Sequence, residues 1–207
     1  MKNRMTYFLT KLFFFLGFEG LIDQVRHTYQ ERKKQQLTSK LKYAGHNLTL
    51  PISNIFFNPQ YVSIGNNFIA LHNLRIEAID NYSDVSFLPK IIIGDNVCMN
   101  SDVHIGAINE VRIGSNVLLA SRIYISDHSH GSINAEELID PPLKRKLSSK
   151  GPVIIEDNVW IGEGVFIMSG VTIGKNSIIG ANAVVTKSIP ENSVAVGIPA
   201  KVIRKII

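Results

Sequence analysis

The 207-residue sequence has a single cysteine, Cys98, and a single tryptophan, Trp160. One thiol excludes an internal disulfide and, with no convincing export signal, points to a reducing, cytoplasmic setting. No base partner for Cys98 is evident from spacing, so it reads as a structural thiol and not as a nucleophile. Long uninterrupted apolar runs are also missing. The Phe- and Leu-rich leader from Met5 to Leu21, preceded by Lys2 and Arg4, is broken by Lys11 and Glu19. It is too short to cross a bilayer and has no small-residue cleavage pattern before the charged, helix-like stretch from Asp23 to Lys42. The expectation is a helix packed on the main domain or a neighbouring subunit, with contact to a membrane surface as the alternative.

The net charge of +5 gathers partly at Arg32-Lys33-Lys34, Lys144-Arg145-Lys146 and the C-terminus. Basic and aromatic residues are not interleaved as a stacking surface, which argues against nucleic acid and for an anionic cofactor or membrane headgroup. His27, His46, His72 and His104 show no metal-ligand spacing, and His128 and His130 stand only two apart. A zinc centre of the carbonic anhydrase kind, which needs three histidines per site, is therefore not expected, and no metal is assigned.

What the sequence does have is a period of six. Ile155, Ile161, Ile167, Ile173, Ile179 and Val185 follow one another at that step without a break. Six fits neither an amphipathic helix nor one long strand, but it fits short strands wound as a coil whose walls each use one hexapeptide. Four positions after each ladder residue come Val159, Val165, Val171, Ser177 and Ala183, small or β-branched residues suited to a narrow interior. Turn formers lie between, as in Gly162-Glu163-Gly164 and Gly174-Lys175-Asn176.

The ladder begins earlier, at Ile64, and continues through Ile93, Met99 and Ile105. A jump of eight then leads to Ile113, Leu119 and Ile125, implying a two-residue bulge near Gly106 to Asn109. About six coils of three hexapeptides each would fill residues 60–190 once two insertions, 77–90 and 127–150, are set aside. The expected organisation is a helical leader at 1–50, a mainly β coil at 51–197 carrying both insertions, and a C-terminal cap at 198–207.

Inward aliphatic residues cannot catalyse, so chemistry must sit on corners, insertions or grooves between copies. The insertion at 127–150 opens Asp127-His128-Ser129-His130-Gly131, directly after a ladder strand. A histidine held at the mouth of a rigid strand is a good general base, because imidazole titrates near neutral pH. From spacing alone, a corner histidine bonded to a loop carbonyl is an equal reading. His130 reads first as a solvated loop residue, second as a substrate ligand and last as the base. Asp127 could hold an imidazole tautomer, but its adjacency to His128 favours a turn role.

The ladder, Asp127-His128-Ser129-His130, Asn158-Val159-Trp160-Ile161-Gly162 and the closing Gly197-Ile198-Pro199-Ala200-Lys201-Val202-Ile203 together resemble the hexapeptide-repeat acetyltransferases. In particular they resemble maltose and galactoside O-acetyltransferases and the sugar O-acetyltransferases of surface-polysaccharide gene clusters. The resemblance spans about residues 60–205. It implies a left-handed parallel β-helix and a homotrimer with active sites between subunits. It implies His128 as general base for direct acetyl transfer from acetyl-CoA to a sugar hydroxyl. It also implies Asn100 as an acceptor-orienting residue across the interface and the Glu163 N–H as an oxyanion donor. Trp160 would stand beside the thioester, Ala181 would line the pantetheine arm, and Thr186, Lys187, Lys201 and Arg204 would meet the cofactor. Relatives often carry Arg where Lys201 stands, and lysine lacks the bidentate fork. His130, Asn100 and Asp127 are the expected substrate contacts. Two other readings stand beside this one, an N-acetyltransferase acting on a nucleotide-linked amino sugar and a trimeric scaffold without catalysis.

Overall fold

The computed structural model describes residue 11, residues 19–132, residue 135 and residues 139–206. These fall into two compact units that divide between Ser39 and Lys40. The first contains the helix Glu19–Thr38, which leaves Leu21, Ile22, Val25 and Tyr29 exposed. Among the described residues no helix is long and apolar enough to cross a membrane. Most of the aromatic segment from Met5 to Leu21 lies outside the described residues.

The second unit is mainly β. Its short strands join three parallel sheets that the chain visits in rotation, so the hexapeptide period becomes three walls. Wall A stacks Tyr43–Ala44, Val62–Ile64, Lys90–Ile93, Glu110–Ile113, Val153–Ile155 and Thr172–Ile173. Wall B runs from Ile69–Ala70 through Cys98–Met99, Leu118–Leu119, Trp160–Ile161 and Ile178–Ile179 to Ser193–Val196. Wall C stacks Ile55–Phe57, Arg75–Ala78, His104–Ala107, Tyr124–Ser126, Phe166–Ile167 and Val184–Val185. Register keeps each ladder residue over the next: Ile105 pairs with Ile76 and Ile125, and Ile125 with Ile167. These positions are fully buried in one aliphatic core. Lys201–Lys205 closes wall B as an antiparallel strand against Ser193–Val196.

The corner between walls A and B shows why asparagine recurs. Asn47, Asn67, Asn96, Asn116, Asn158, Asn176 and Asn192 all hold positive φ, between 54° and 59°, a region that asparagine tolerates better than most residues. Each of the first six donates Nδ2–H to the Oδ1 of the next, at 2.8 to 3.2 Å, forming one continuous ladder that ends on Asn192. Asn116→Ala removes two rungs and places a Cβ-bearing residue without this compensation in the left-handed region. A loss of about 1–3 kcal/mol in chemical denaturation is expected, with Asn116→Gly recovering part of it.

Two boundaries differ from the sequence expectation. The coil starts at Tyr43–Ala44, inside the segment assigned to the leader, and Thr49 already bridges to Ile69. The missed signal was Gly45-His46-Asn47-Leu48, which mirrors Gly65-Asn66-Asn67-Phe68 one turn later. The first insertion is also shorter than 77–90, because Glu77 and Ala78 finish a wall C strand and Lys90 begins one on wall A. Between them lies a small hairpin of Asn81–Tyr82 and Val85–Ser86.

Candidate active site

Every interruption of the period leaves the coil at the same corner, between walls C and A. The hairpin at 81–86 follows Ala78, the register jump follows Ala107, and the long insertion follows Ser126. The jump adds Ile108 and Asn109 between strands, and their backbone N–H groups have no ladder partner. They donate to the carboxylate of Asp127 from the next coil, Ile108 N–H to Oδ1 at 2.9 Å and Asn109 N–H to Oδ2 at 2.8 Å. Asp127 is 0% exposed. A buried carboxylate survives only where such donors replace its lost hydration.

The same Oδ1 lies 3.0 Å from Nδ1 of His128. Asp127 was expected on a turn or at the substrate; its burial removes it from substrate contact, and adjacency does not prevent it from holding the imidazole. An ionised carboxylate can only accept, so in the neutral imidazole the favoured tautomer carries its proton on Nδ1 and presents a lone pair at Nε2. No described residue hydrogen-bonds Nε2, and the His128 side chain keeps 11% exposure. Ser126, nearly buried, accepts the His128 N–H at 3.2 Å and donates to its carbonyl oxygen at 3.0 Å. Ser169 from the following coil donates to the Asp127 carbonyl oxygen at 2.6 Å. The loop is thus tied from both sides.

Gly106 makes room for this arrangement. A Cβ built there would approach His128 Cε1 to 3.2 Å, tighter than ordinary contact. Gly106→Val should displace the imidazole and lower kcat at least about tenfold while leaving the core intact, a result read by steady-state kinetics beside thermal unfolding. Neither Gly106 nor Ser126 stood out in the sequence; the signal for both was the two-residue jump beside them.

The other expected site residues fall elsewhere on the coil. Thr186 and Lys187 share the C–A corner with His128, two coils along, or about 10 Å at the usual interstrand spacing. Both are exposed. Asn100, Glu163 and Ala181 occupy the corner between walls B and C, at the far end of wall C from His128. Among the described residues no hydrogen bond joins Asn100 to His128. Among the described residues the Glu163 N–H has no backbone partner, but neither do those of Ser101 and Ser121 at the equivalent corner positions. Its side chain pairs with Arg122. Trp160 points outward and is 50% exposed, as its one-residue offset from Ile161 predicts. Its row on wall B continues through Ile178 and Val194 to Arg204, with Lys201 paired to Val196.

His130 is exposed on a short hairpin with Leu147–Ser148. Its ring meets Tyr82 edge-on at 5.2 Å, and the Tyr82 hydroxyl donates to the Leu143 carbonyl oxygen at 2.7 Å. The two insertions therefore touch each other. Among the described residues no cluster of His, Cys, Asp or Glu is placed to hold a metal.

Residues 152–187 match the profile of the bacterial transferase hexapeptide (six repeats). The putative lipopolysaccharide biosynthesis O-acetyl transferase WbbJ of Escherichia coli is 40% identical over 152 residues, covering 72% of this chain and 74% of that protein. The chain belongs to the hexapeptide-repeat acetyltransferases. Another such acetyltransferase, the galactoside O-acetyltransferase of E. coli, is 41% identical over 126 residues, covering 58% of this chain and 57% of its own length. Among solved structures, a galactoside acetyltransferase in complex with coenzyme A shares 32% identity at a TM-score of 0.54, covering 86% of this chain and 71% of the other. A point mutant of AntD, an N-acyltransferase from Bacillus cereus in complex with dTDP-4-amino-4,6-dideoxyglucose and coenzyme A, superposes at a TM-score of 0.69 with 21% identity, over 83% of this chain and 88% of the other. At that identity it speaks for the fold alone.

Proposed function

We propose that this acetyltransferase uses acetyl-CoA to acetylate a hydroxyl of a sugar or glycan, with His128 as general base. The observation that carries the proposal is the Asp127–His128 pair, in which a buried carboxylate holds Nδ1 and Nε2 has no partner among the described residues. A hydroxyl is a poor nucleophile until its proton is taken as it attacks, and Nε2 is placed to take it. Asp127 holds the ring in the required tautomer and balances the positive charge that forms on it. A scaffold protein would need this carboxylate only to cap the N–H groups of Ile108 and Asn109, and would have no use for its third contact, to His128 Nδ1. Acetyl-CoA supplies an activated acyl group as a thioester. Lys187, Lys201 and Arg204 are exposed cations suited to its phosphates, and exposed Trp160 and Ala181 offer an apolar flank. The Glu163 N–H would face the negative charge growing on the carbonyl oxygen.

The coil would wind left-handed and assemble as a homotrimer. Support for the trimer comes from the site itself, since Asn100, Glu163 and Trp160 lie away from His128 in one chain. Packing wall B and the B–C corner of one copy against the C–A corner of another would bring the two sets together. Static light scattering should then read three times the 23.0 kDa chain mass. The protein would be cytoplasmic, with the leader touching a membrane surface or a neighbouring subunit. Liposome co-sedimentation of the full chain against a truncation starting near Leu37 separates those two, because equal partitioning removes the membrane.

The decisive assay is thiol release from acetyl-CoA over a panel of neutral sugars, glycosides and amino-sugar nucleotides. Release with a hydroxyl-only acceptor supports the proposal; release confined to amino sugars would replace it with N-acetylation.

A further inference from the structure

Beside His128, the outer face of wall C carries residues that neither the general base nor the acetyl-CoA contacts use. Arg75, His104, Tyr124 and Phe166 stand in one outward row, each in register with the next. His104 meets Tyr124 edge-on at 5.1 Å, and Tyr124 meets Phe166 at 5.7 Å. In the neighbouring outward row Glu77 is paired in register with Gly106, the residue over which the His128 ring lies. Glu77 thus sits one strand from the catalytic imidazole, about 5 Å along the coil.

Glu77 is also held in place. Its Oε1 accepts from the Arg75 guanidinium at 2.8 Å, and its Oε2 lies 2.8 Å from His104 Nε2. Burial alone would raise its pKa, but the hydrogen bonds and charges of Arg75 and His104 outweigh that and hold it below the usual carboxylate range. The three side chains keep partial exposure, 49% for Arg75, 22% for Glu77 and 29% for His104. An ionised carboxylate beside a guanidinium can accept from one hydroxyl while the guanidinium donates to its neighbour. A row of aromatic faces offers apolar area to the C–H side of a pyranose ring.

We propose that this patch is the acceptor subsite: Glu77 and Arg75 bind adjacent hydroxyls of a neutral sugar, His104 positions Glu77, and Tyr124 and Phe166 form the floor. The proposal rests on the sugar O-acetylation reading and adds to it the class of sugar. A neutral ring fits because Glu77 already engages both Arg75 and His104, so neither stands unpaired in the patch to receive an acidic sugar. Acidic sugars would meet the carboxylate.

The test compares wild type with Glu77→Gln and Tyr124→Ala, using methyl galactoside, maltose and glucuronic acid as probes. Glu77→Gln should raise KM for the better neutral acceptor about 10- to 100-fold, the effect of losing a charged hydrogen bond, with KM for acetyl-CoA and the light-scattering mass unchanged. Tyr124→Ala should raise the same KM. The ratio of glucuronic acid to neutral turnover should rise in Glu77→Gln, which a purely structural role for the ion pair would not produce. An unchanged acceptor KM, or a fall in oligomer mass showing that wall C is a subunit contact, overturns the subsite. If wild type acetylates none of the sugars, the O-acetylation reading fails instead. Saturation-transfer NMR of methyl galactoside with wild type and Glu77→Gln then still decides the subsite, since only an acceptor-binding Glu77 makes the signal depend on that carboxylate.

Discussion

His128→Ala is expected to lower kcat about 10²- to 10⁴-fold, the range that general-base assistance supplies, equivalent to roughly 3–5 kcal/mol of barrier. The reason is local. Nε2 is the only imidazole nitrogen of that residue left free by the Asp127 contact, and it stands at the mouth of a strand fixed by parallel pairing on both sides. KM for acetyl-CoA should change little, because the cationic residues assigned to it lie on later coils and on the closing strand of wall B. The check is thiol release at saturating acetyl-CoA, with His130→Ala assayed in parallel. His130 stacks edge-on with Tyr82 and its loss should act mainly on acceptor KM. Undiminished turnover in His128→Ala would remove the mechanism, and loss of turnover in His130→Ala alone would transfer the base two residues along.

Asp127→Asn should give the second largest effect, and on two observables at once. The carboxylate answers three donors, the N–H groups of Ile108 and Asn109 and the His128 Nδ1–H. An amide offers one oxygen, so its NH2 group must face at least one of these donors in a site with no exposure. A buried donor left unpaired costs about 1–3 kcal/mol, to be read in chemical denaturation. Catalysis should fall by about 10- to 100-fold as well, since the imidazole loses the partner that fixes its tautomer and balances its charge. A stability loss without a rate loss would show that Asp127 serves the corner and not the base.

Much of the architecture is legible along the chain because the hexapeptide period is a local property. Each inward residue is set by its distance from the last, so Ile155 through Val185 locate one another without any knowledge of other coils. The outward aim of Trp160 and the turn residues Gly162 and Asn158 follow from the same step. The first coil is not legible because the period is diluted there: Tyr43–Ala44 and Ile55–Phe57 are separated by a segment with one isolated bridge. Family resemblance singled out His128, but spacing could not say what holds it. Ser126 and Gly106 look like ordinary corner residues until the ring of His128 is seen against them.

Sequence alone thus determined the period, the aliphatic interior and the presence of two breaks near a histidine, because these depend on neighbours within six residues. Tertiary structure decided what the breaks are for. Only stacking of coils brings Ile108 and Asn109 onto Asp127, carries Ser169 to the same loop, and sets Glu77 one strand from His128. The hydrogen-bond partners among these lie 18 to 42 residues apart along the chain, and the pairing register that joins them depends on how many residues each corner and insertion consumes.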